Sequence, residues 1–393
     1  MPNLSFSVIA RSPDKSEHTD PLVERFTRQY NVPVQVQYLT WSNARQELNR
    51  IATYNQGADV SQIGSTWLRD LVDMHAVRAF APVELRKLGD PTEFVPAAWE
   101  STKLQSGATV WAAPWLVDAR ILFYRRDLLK RAGLDEQTAF ATPQALLETL
   151  AALQARGVAV PWVVPTQFSW RTLHIVASWV WGNGGDFVSR DGKRVLFMEP
   201  AALVGFKQFF STARYLADEA RGLSDAETDA LFMQGHAAVN VGGPWIMEMD
   251  KELLADVGIA SPPGPAFVGG SHLIIWKHTA NSRAALRLVE HFVSVAAQRQ
   301  HGFRGLLPAR LAALDTVDIP GREFSRYLEH VLLEGRAFTT PSLWALVEER
   351  LGQVLAQIWA EVLALPEITD SALDEIVTQR LGALARRLNM MFV

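Results

Sequence analysis

The sequence predicts an α/β protein of two lobes, each built from discontinuous stretches of chain and joined by a hinge. Three observations carry this. At 393 residues the chain exceeds what one hydrophobic core usually fills. Its first part alternates strands with helices, which implies a mostly parallel sheet covered on both faces. Two proline-bearing stretches, 114–118 and 262–265, read as crossings that leave and re-enter the first lobe. Such a hinge suits closure around a ligand. The expected lobes are 1–113 with 259–310, and 114–258 with 311–393.

The elements follow in order. Residues 4–10 alternate as a strand. Thr19-Asp20-Pro21 supplies a cap and a first-turn proline for a helix over 22–30. A strand over 32–39, a helix over 42–53, a short buried strand over 58–64 and a helix over 67–74 continue the alternation. Ligands of such sheets gather beyond the carboxyl ends of the strands, which singles out the loops 11–16, 40–42 and 64–67. Strands over 109–113 and 120–125 flank the first crossing. From Thr142-Pro143 the chain turns mainly helical, with helical spacing over 145–154, 173–182, 200–216 and 226–233. Ser224-Asp225-Ala226-Glu227 is a capping box for the last of these. Asp191-Gly192 is a hairpin signal. A strand over 257–260 precedes the second crossing, and a strand over 273–276 and one long helix over 282–297 follow it. Amphipathic helices over 343–363 and 372–390 end the chain.

Composition narrows the function. Hydrophobic residues make up 48% and charged residues 20%, an ordinary globular balance. The net charge of −4 argues against a nucleic-acid partner, which needs a basic face. With no cysteine there is no disulfide framework, thiolate metal site or cysteine nucleophile, and neither a cofactor nor a metal is expected. No apolar run is long enough to span a bilayer. Met1-Pro2-Asn3 leads straight into a strand, so no signal peptide is read. The motifs of serine hydrolases, zinc peptidases, P-loops and dinucleotide folds are missing, and no enzyme is expected. The 13 tryptophans are the compositional excess that bears on function.

The stretch from Phe232 to Trp245 is the most informative. A helix ends at Gly235, a short apolar strand follows, and Gly242-Gly243-Pro244 stops it. The glycines let backbone approach closely and the proline fixes the exit, leaving Trp245 placed to wall a cleft. An indole face there suits the C–H face of a sugar ring.

Eight segments occur in order: Asp59-Val60 with Trp67; Ala113-Pro114 with Asp118 and Phe123-Tyr124-Arg125-Arg126-Asp127-Leu128-Leu129; Ala132-Gly133-Leu134; Gly184-Gly185; Phe232 with Gly235-His236-Ala237-Ala238; Gly243-Pro244-Trp245; Gly269-Gly270-Ser271; and Leu307-Pro308-Ala309-Arg310. Together they resemble the extracellular solute-binding proteins of carbohydrate ABC importers, the group that includes maltose-binding protein. The resemblance implies a type II periplasmic-binding-protein fold and a monomeric receptor. It further implies a sugar ligand and delivery to a membrane permease. It implies an extracytoplasmic place, periplasmic or lipid-anchored, reached through a signal peptide. Carried over position by position, it implies ligand contacts at Trp67, Asp118, Trp245, Gly270 and Ser271. The first loop, with Arg11, departs from the family pattern.

Other candidates come from the residues themselves. Trp41 follows an alternating strand, and Ser65 and Thr66 precede Trp67. Trp170 lies in a polar-aromatic loop, where an exposed indole calls for a ligand. Trp115 flanks the first crossing and Gly243 precedes Trp245. Arg304 sits in a glycine-bounded loop, Trp344 starts a late helix, and His272 follows Ser271. Asp118 is the best polar candidate, since a carboxylate accepts paired hydrogen bonds from vicinal hydroxyls. Trp162, Trp276, Trp359 and one of Trp179 and Trp181 are expected in the core. Two other readings stay open: a receptor for a non-sugar solute such as a polyol phosphate, and a glycoside-active enzyme.

Overall fold

The structure, a computed structural model, describes residues 3–10, 19–104, 107–301, 305–317 and 321–392. The chain forms two compact units. The first takes 1–118, 268–318 and 337–344; the second takes 119–267, 319–336 and 345–393. Unit boundaries therefore fall at 118/119 and 267/268, where 113/114 and 258/259 were expected, and the late segment 337–344 returns to the first unit. Strand continuity is the reason. The stretch around Pro114 is extended chain, part of a strand from Ala113 to Ala119, so the chain leaves the first unit only at its end.

The first unit holds a six-stranded sheet in the order β10-β4-β9-β3-β1-β2. The strands are β1 (Leu4–Ile9), β2 (Val34–Leu39), β3 (Val60–Gly64), β4 (Ala113–Ala119), β9 (Val268–Ile275) and β10 (Leu307–Pro308). β1 runs parallel to β2 and β3, each reached through a helix, as the alternation required. β9 is antiparallel to β3, and β10 to β4, so the sheet is mixed. No β-helix-β crossover links β3 to β9, and nothing obliges the returning chain to enter parallel.

The second unit holds a four-stranded sheet, β6-β7-β5-β8, of β5 (Ile121–Arg125), β6 (Trp162–Val163), β7 (Val239–Gly242) and β8 (Val257–Ala260). β5 is antiparallel to β7 and β8, and β6 is parallel to β7. Helices Pro143–Ala155, Trp170–Gly182 and Asp225–Met233 lie where their spacing put them, while the one expected over 200–216 ends at Ser211 and gives way to a tighter turn, Thr212–Tyr215. Their starts are capped as read: Thr142 Oγ accepts from Ala145 N at 3.0 Å, and Ser224 N donates to Glu227 at 2.8 Å. The helix expected over 282–297 is two, Ser282–Val293 and Val295–His301. The Ser294 backbone turns extended between them, and its hydroxyl accepts from Ala297 N. Val188 and Val195 pair across Asp191-Gly192.

Aromatic side chains fill both cores. Phe6, Trp115 and Phe292 pack edge-on in the first, at 5.2–6.5 Å between ring centroids. Trp179, Phe209, Phe210 and Trp359 do so in the second. Trp162, Trp276 and Trp359 are fully buried as expected, and Trp179 and Trp181 are both buried.

Candidate functional site

Trp41, Ser65, Thr66 and Trp67 in the first unit, and Gly243 and Trp245 in the second, lie just past strand ends. In the first unit, β2 ends at Leu39 and Trp41 opens the helix Trp41–Tyr54. Asn43 accepts from Thr40 N at 2.8 Å and fixes that start. β3 ends at Gly64, and Ser65, Thr66 and Trp67 form a single tight turn. Because β2 and β3 run parallel on either side of β1, both tryptophans emerge at the same end of the sheet. Their rings meet edge to face, 5.6 Å apart. Trp67 is half-buried against a cluster that includes Leu68, Leu71, Ile274 and Trp276. Trp41 is 51% exposed. Arg45, paired with Asp70 at 3.2 Å, has its guanidinium 6.0 Å from the Trp67 ring centre. Ser65 is buried and Thr66 half-buried.

In the second unit, β7 runs through Val239–Gly242 and Pro244 starts a tight turn carrying Trp245. The indole lies back over the strand end, so a Cβ placed on Gly243 would stand 2.1 Å from its ring. Glycine is needed there for close approach; its φ of −106° suits any residue. Trp245 is half-buried, and its Nε1 donates to Asp229 at 2.8 Å. The guanidinium carbons of Arg120 and Arg171 lie 5.2 and 5.7 Å from its ring centre. Arg120 contacts His174 Nδ1 at 3.2 Å, and the imidazole stacks on Phe267 at 4.1 Å. Burial, and then the Arg120 and Arg171 charges, hold His174 well below the usual imidazole range. It is neutral at physiological pH, and Nδ1 accepts from Arg120.

Trp170 is the first residue of the helix Trp170–Gly182, 36% exposed, edge-on to Phe168 at 5.3 Å. Ser169 caps this helix, accepting from Arg171 N at 2.9 Å while donating to Asp225 at 2.6 Å. Phe168, itself 48% exposed, was passed over in the sequence. An aromatic two residues before a Ser-capped helix is the signal that could have found it.

Several candidates fall elsewhere. Trp115 is buried among Phe6, Phe292 and His301, and Trp344 is fully buried against Phe338. Both are core residues, because the strand and helix faces that carry them point inward, a matter local sequence does not fix. Gly270 and Ser271 lie within β9 and not in a loop. Ser271 is buried, its hydroxyl accepting from Gln62 Nε2 at 2.8 Å. Gly270 has φ of +127°, and a Cβ there would stand 2.1 Å from the Leu116 carbonyl oxygen. Its glycine answers to backbone geometry. His272 is buried, its Nε2 2.9 Å from Ser101 Oγ, and burial pushes it down to about 4. Asp118 is half-buried on β4, the last residue of the first unit. Arg11 and Arg304 lie outside the described residues.

Two α/β units, each threaded by more than one stretch of chain, with aromatic rings at the strand ends, define a two-lobe periplasmic-binding-protein fold of type II. The model of the bacterial extracellular solute-binding proteins matches residues 12–299, and the chain belongs to that family. The family is one of binding proteins that work outside the cytoplasm. Solved structures share the fold. The sugar-binding protein MalE from Xanthomonas citri superposes with a TM-score of 0.81 at 20% identity, covering 100% of this chain and 99% of that one. The GacH receptor of Streptomyces glaucescens, solved unliganded and with acarbose, gives 0.77 at 18% identity over 98% and 99%. In sequence the chain is similar to the diacetylchitobiose binding protein DasA of Streptomyces coelicolor, 23% identical over 274 residues. That match covers 65% of this chain and 60% of the relative.

Proposed function

We propose that this chain captures a carbohydrate outside the cytoplasm, as a monomer, and passes it to the membrane permease of an ABC importer. The observation that carries the reading is the half-buried Trp245 ring, set at a strand end over Gly243 with its polar edge already bonded. An indole whose N–H is satisfied offers an apolar face without an unmet polar atom, which suits the C–H face of a sugar ring. The pairs Trp41–Trp67 and Phe168–Trp170 supply further rings, one pair in each unit. Asp118, Ser65 and Thr66 are the polar partners we assign to hydroxyls. The diacetylchitobiose relative and the acarbose-bound neighbour support this ligand class. Each ring stack or charge-assisted hydrogen bond contributes about 1–3 kcal/mol. A few of them reach the roughly 8 kcal/mol of micromolar affinity.

A receptor for a phosphorylated polyol needs arginines with charge to spare. Arg171 is matched by Asp229 and Asp225, which speaks for a neutral solute. A thermal-shift and calorimetric screen tests this with maltose, diacetylchitobiose and acarbose beside glycerol phosphate. A sugar that raises the melting temperature, with micromolar or tighter affinity and no product formed, is the expected result. Stabilisation by glycerol phosphate alone would overturn the proposal.

A further inference from the structure

The Trp245 ring is aimed by a polar network that belongs to neither its own strand nor its own turn. Asp225 and Asp229 stand four residues apart on the helix Asp225–Met233, hence on one helix face. Arg171, buried to 4% side-chain exposure, reaches both. Its Nη1 donates to the two Asp229 oxygens at 2.7 Å each, and its Nη2 donates to the Asp225 carbonyl at 2.7 Å. The Asp229 oxygen that holds Arg171 also accepts from Trp245 Nε1, in the plane of the indole. A hydrogen bond in the ring plane sets the ring's rotation, which apolar packing leaves loose. Arg171 follows Trp170 directly, so one guanidinium ties the helix start bearing that second ring to the same two carboxylates.

We propose that Asp229, gripped by Arg171, is a positioning residue that sets the direction of the Trp245 ring and so the geometry of the aromatic surface in the second unit. Its effect on sugar affinity rests on the reading of Trp245 given above; its effect on the ring does not.

The test labels the indole nitrogens with 15N and assigns the Trp245 signal by its loss in Trp245→Phe. In the wild type this N–H exchanges with solvent at least about tenfold more slowly than that of exposed Trp41, because it is bonded to a charged acceptor. Asp229→Ala removes the acceptor and brings exchange at Trp245 about tenfold faster, with the other indole signals in place. Asp229→Asn keeps a neutral oxygen acceptor and gives an intermediate rate, about threefold faster. Should Asp229→Ala fail to fold, the Asn variant decides. Wild-type exchange at Trp245 in a folded variant overturns the proposal. Calorimetry with maltose and diacetylchitobiose then reads the consequence: Asp229→Asn lowers affinity about three- to tenfold. If Trp245→Ala binds these sugars as the wild type does, Trp245 leaves the binding site while the exchange result stands by itself.

Discussion

The aromatic rings at the strand ends of the two units are held by different physics. In the first, Trp67 is anchored by apolar packing and Trp41 leans on it edge to face, half in solvent. In the second, Trp245 is held by a hydrogen bond to a carboxylate that a buried arginine fixes. Packing is non-directional and locates a ring without fixing its rotation; a charged hydrogen bond does fix it. On the proposed reading, the second surface is the preorganised template, because a charged hydrogen bond directs its ring, and the first is the more adaptable one.

The largest effect expected from breaking this arrangement is on stability. Gly270→Ala forces a Cβ toward the Leu116 carbonyl at a positive φ, and should cost about 3 kcal/mol or more, read by denaturant unfolding. The template comes next. Trp245→Ala should weaken sugar binding by roughly tenfold to a hundredfold, measured by calorimetry, with the unliganded melting temperature nearly unchanged. The Arg171–Asp229 ion pair does not involve the Trp245 side chain and should persist in that variant. An unchanged affinity would remove the distinction between the surfaces.

Acid sharpens it further. Burial lowers His272 to about 4, and lowers His291 in the first unit and His174 in the second. A depressed imidazole binds protons more readily in the unfolded chain. Its contribution is complete above about pH 6.5 and is lost as pH falls, for His272 toward 4. His272 should cost about 1 kcal/mol by pH 5.5, and His272→Asn should flatten that slope in a melting series over pH 8 to 5. The smallest effect is at the adaptable surface. Trp41→Ala should lower affinity only about threefold, and a double-mutant cycle with Trp67→Ala should return a coupling of about 0.5–1.5 kcal/mol. A tenfold loss at Trp41 would make the first surface as decisive as the second.

Much of this was legible in the sequence. The helix over 226–233, its capping box, the strand before Gly242 and the turn at Pro244 are short-range features, written in periodicity and cap chemistry. They placed Trp245 at the end of β7, and the alternation before residue 74 placed Trp41 and Trp67 beyond β2 and β3. Burial was less legible. Trp115 and Trp344 read like Trp170, but the first two are core and only the last is exposed. The one long helix over 282–297 broke at Ser294, whose capping role competes with a run that otherwise keeps helical spacing.

The sequence by itself determined those helices and strands that periodicity and caps mark locally, and that a ring would follow Gly242-Gly243-Pro244, since those depend on neighbours a few residues away; the strand read over 109–113 lies instead over Ala113–Ala119. Only the tertiary structure decided that β9 enters antiparallel, that Trp115 faces inward, and that Arg171 reaches across 58 residues to Asp229. Those outcomes depend on which surfaces meet once water is expelled, and a pairing of distant side chains leaves no periodic trace in the chain that encodes it.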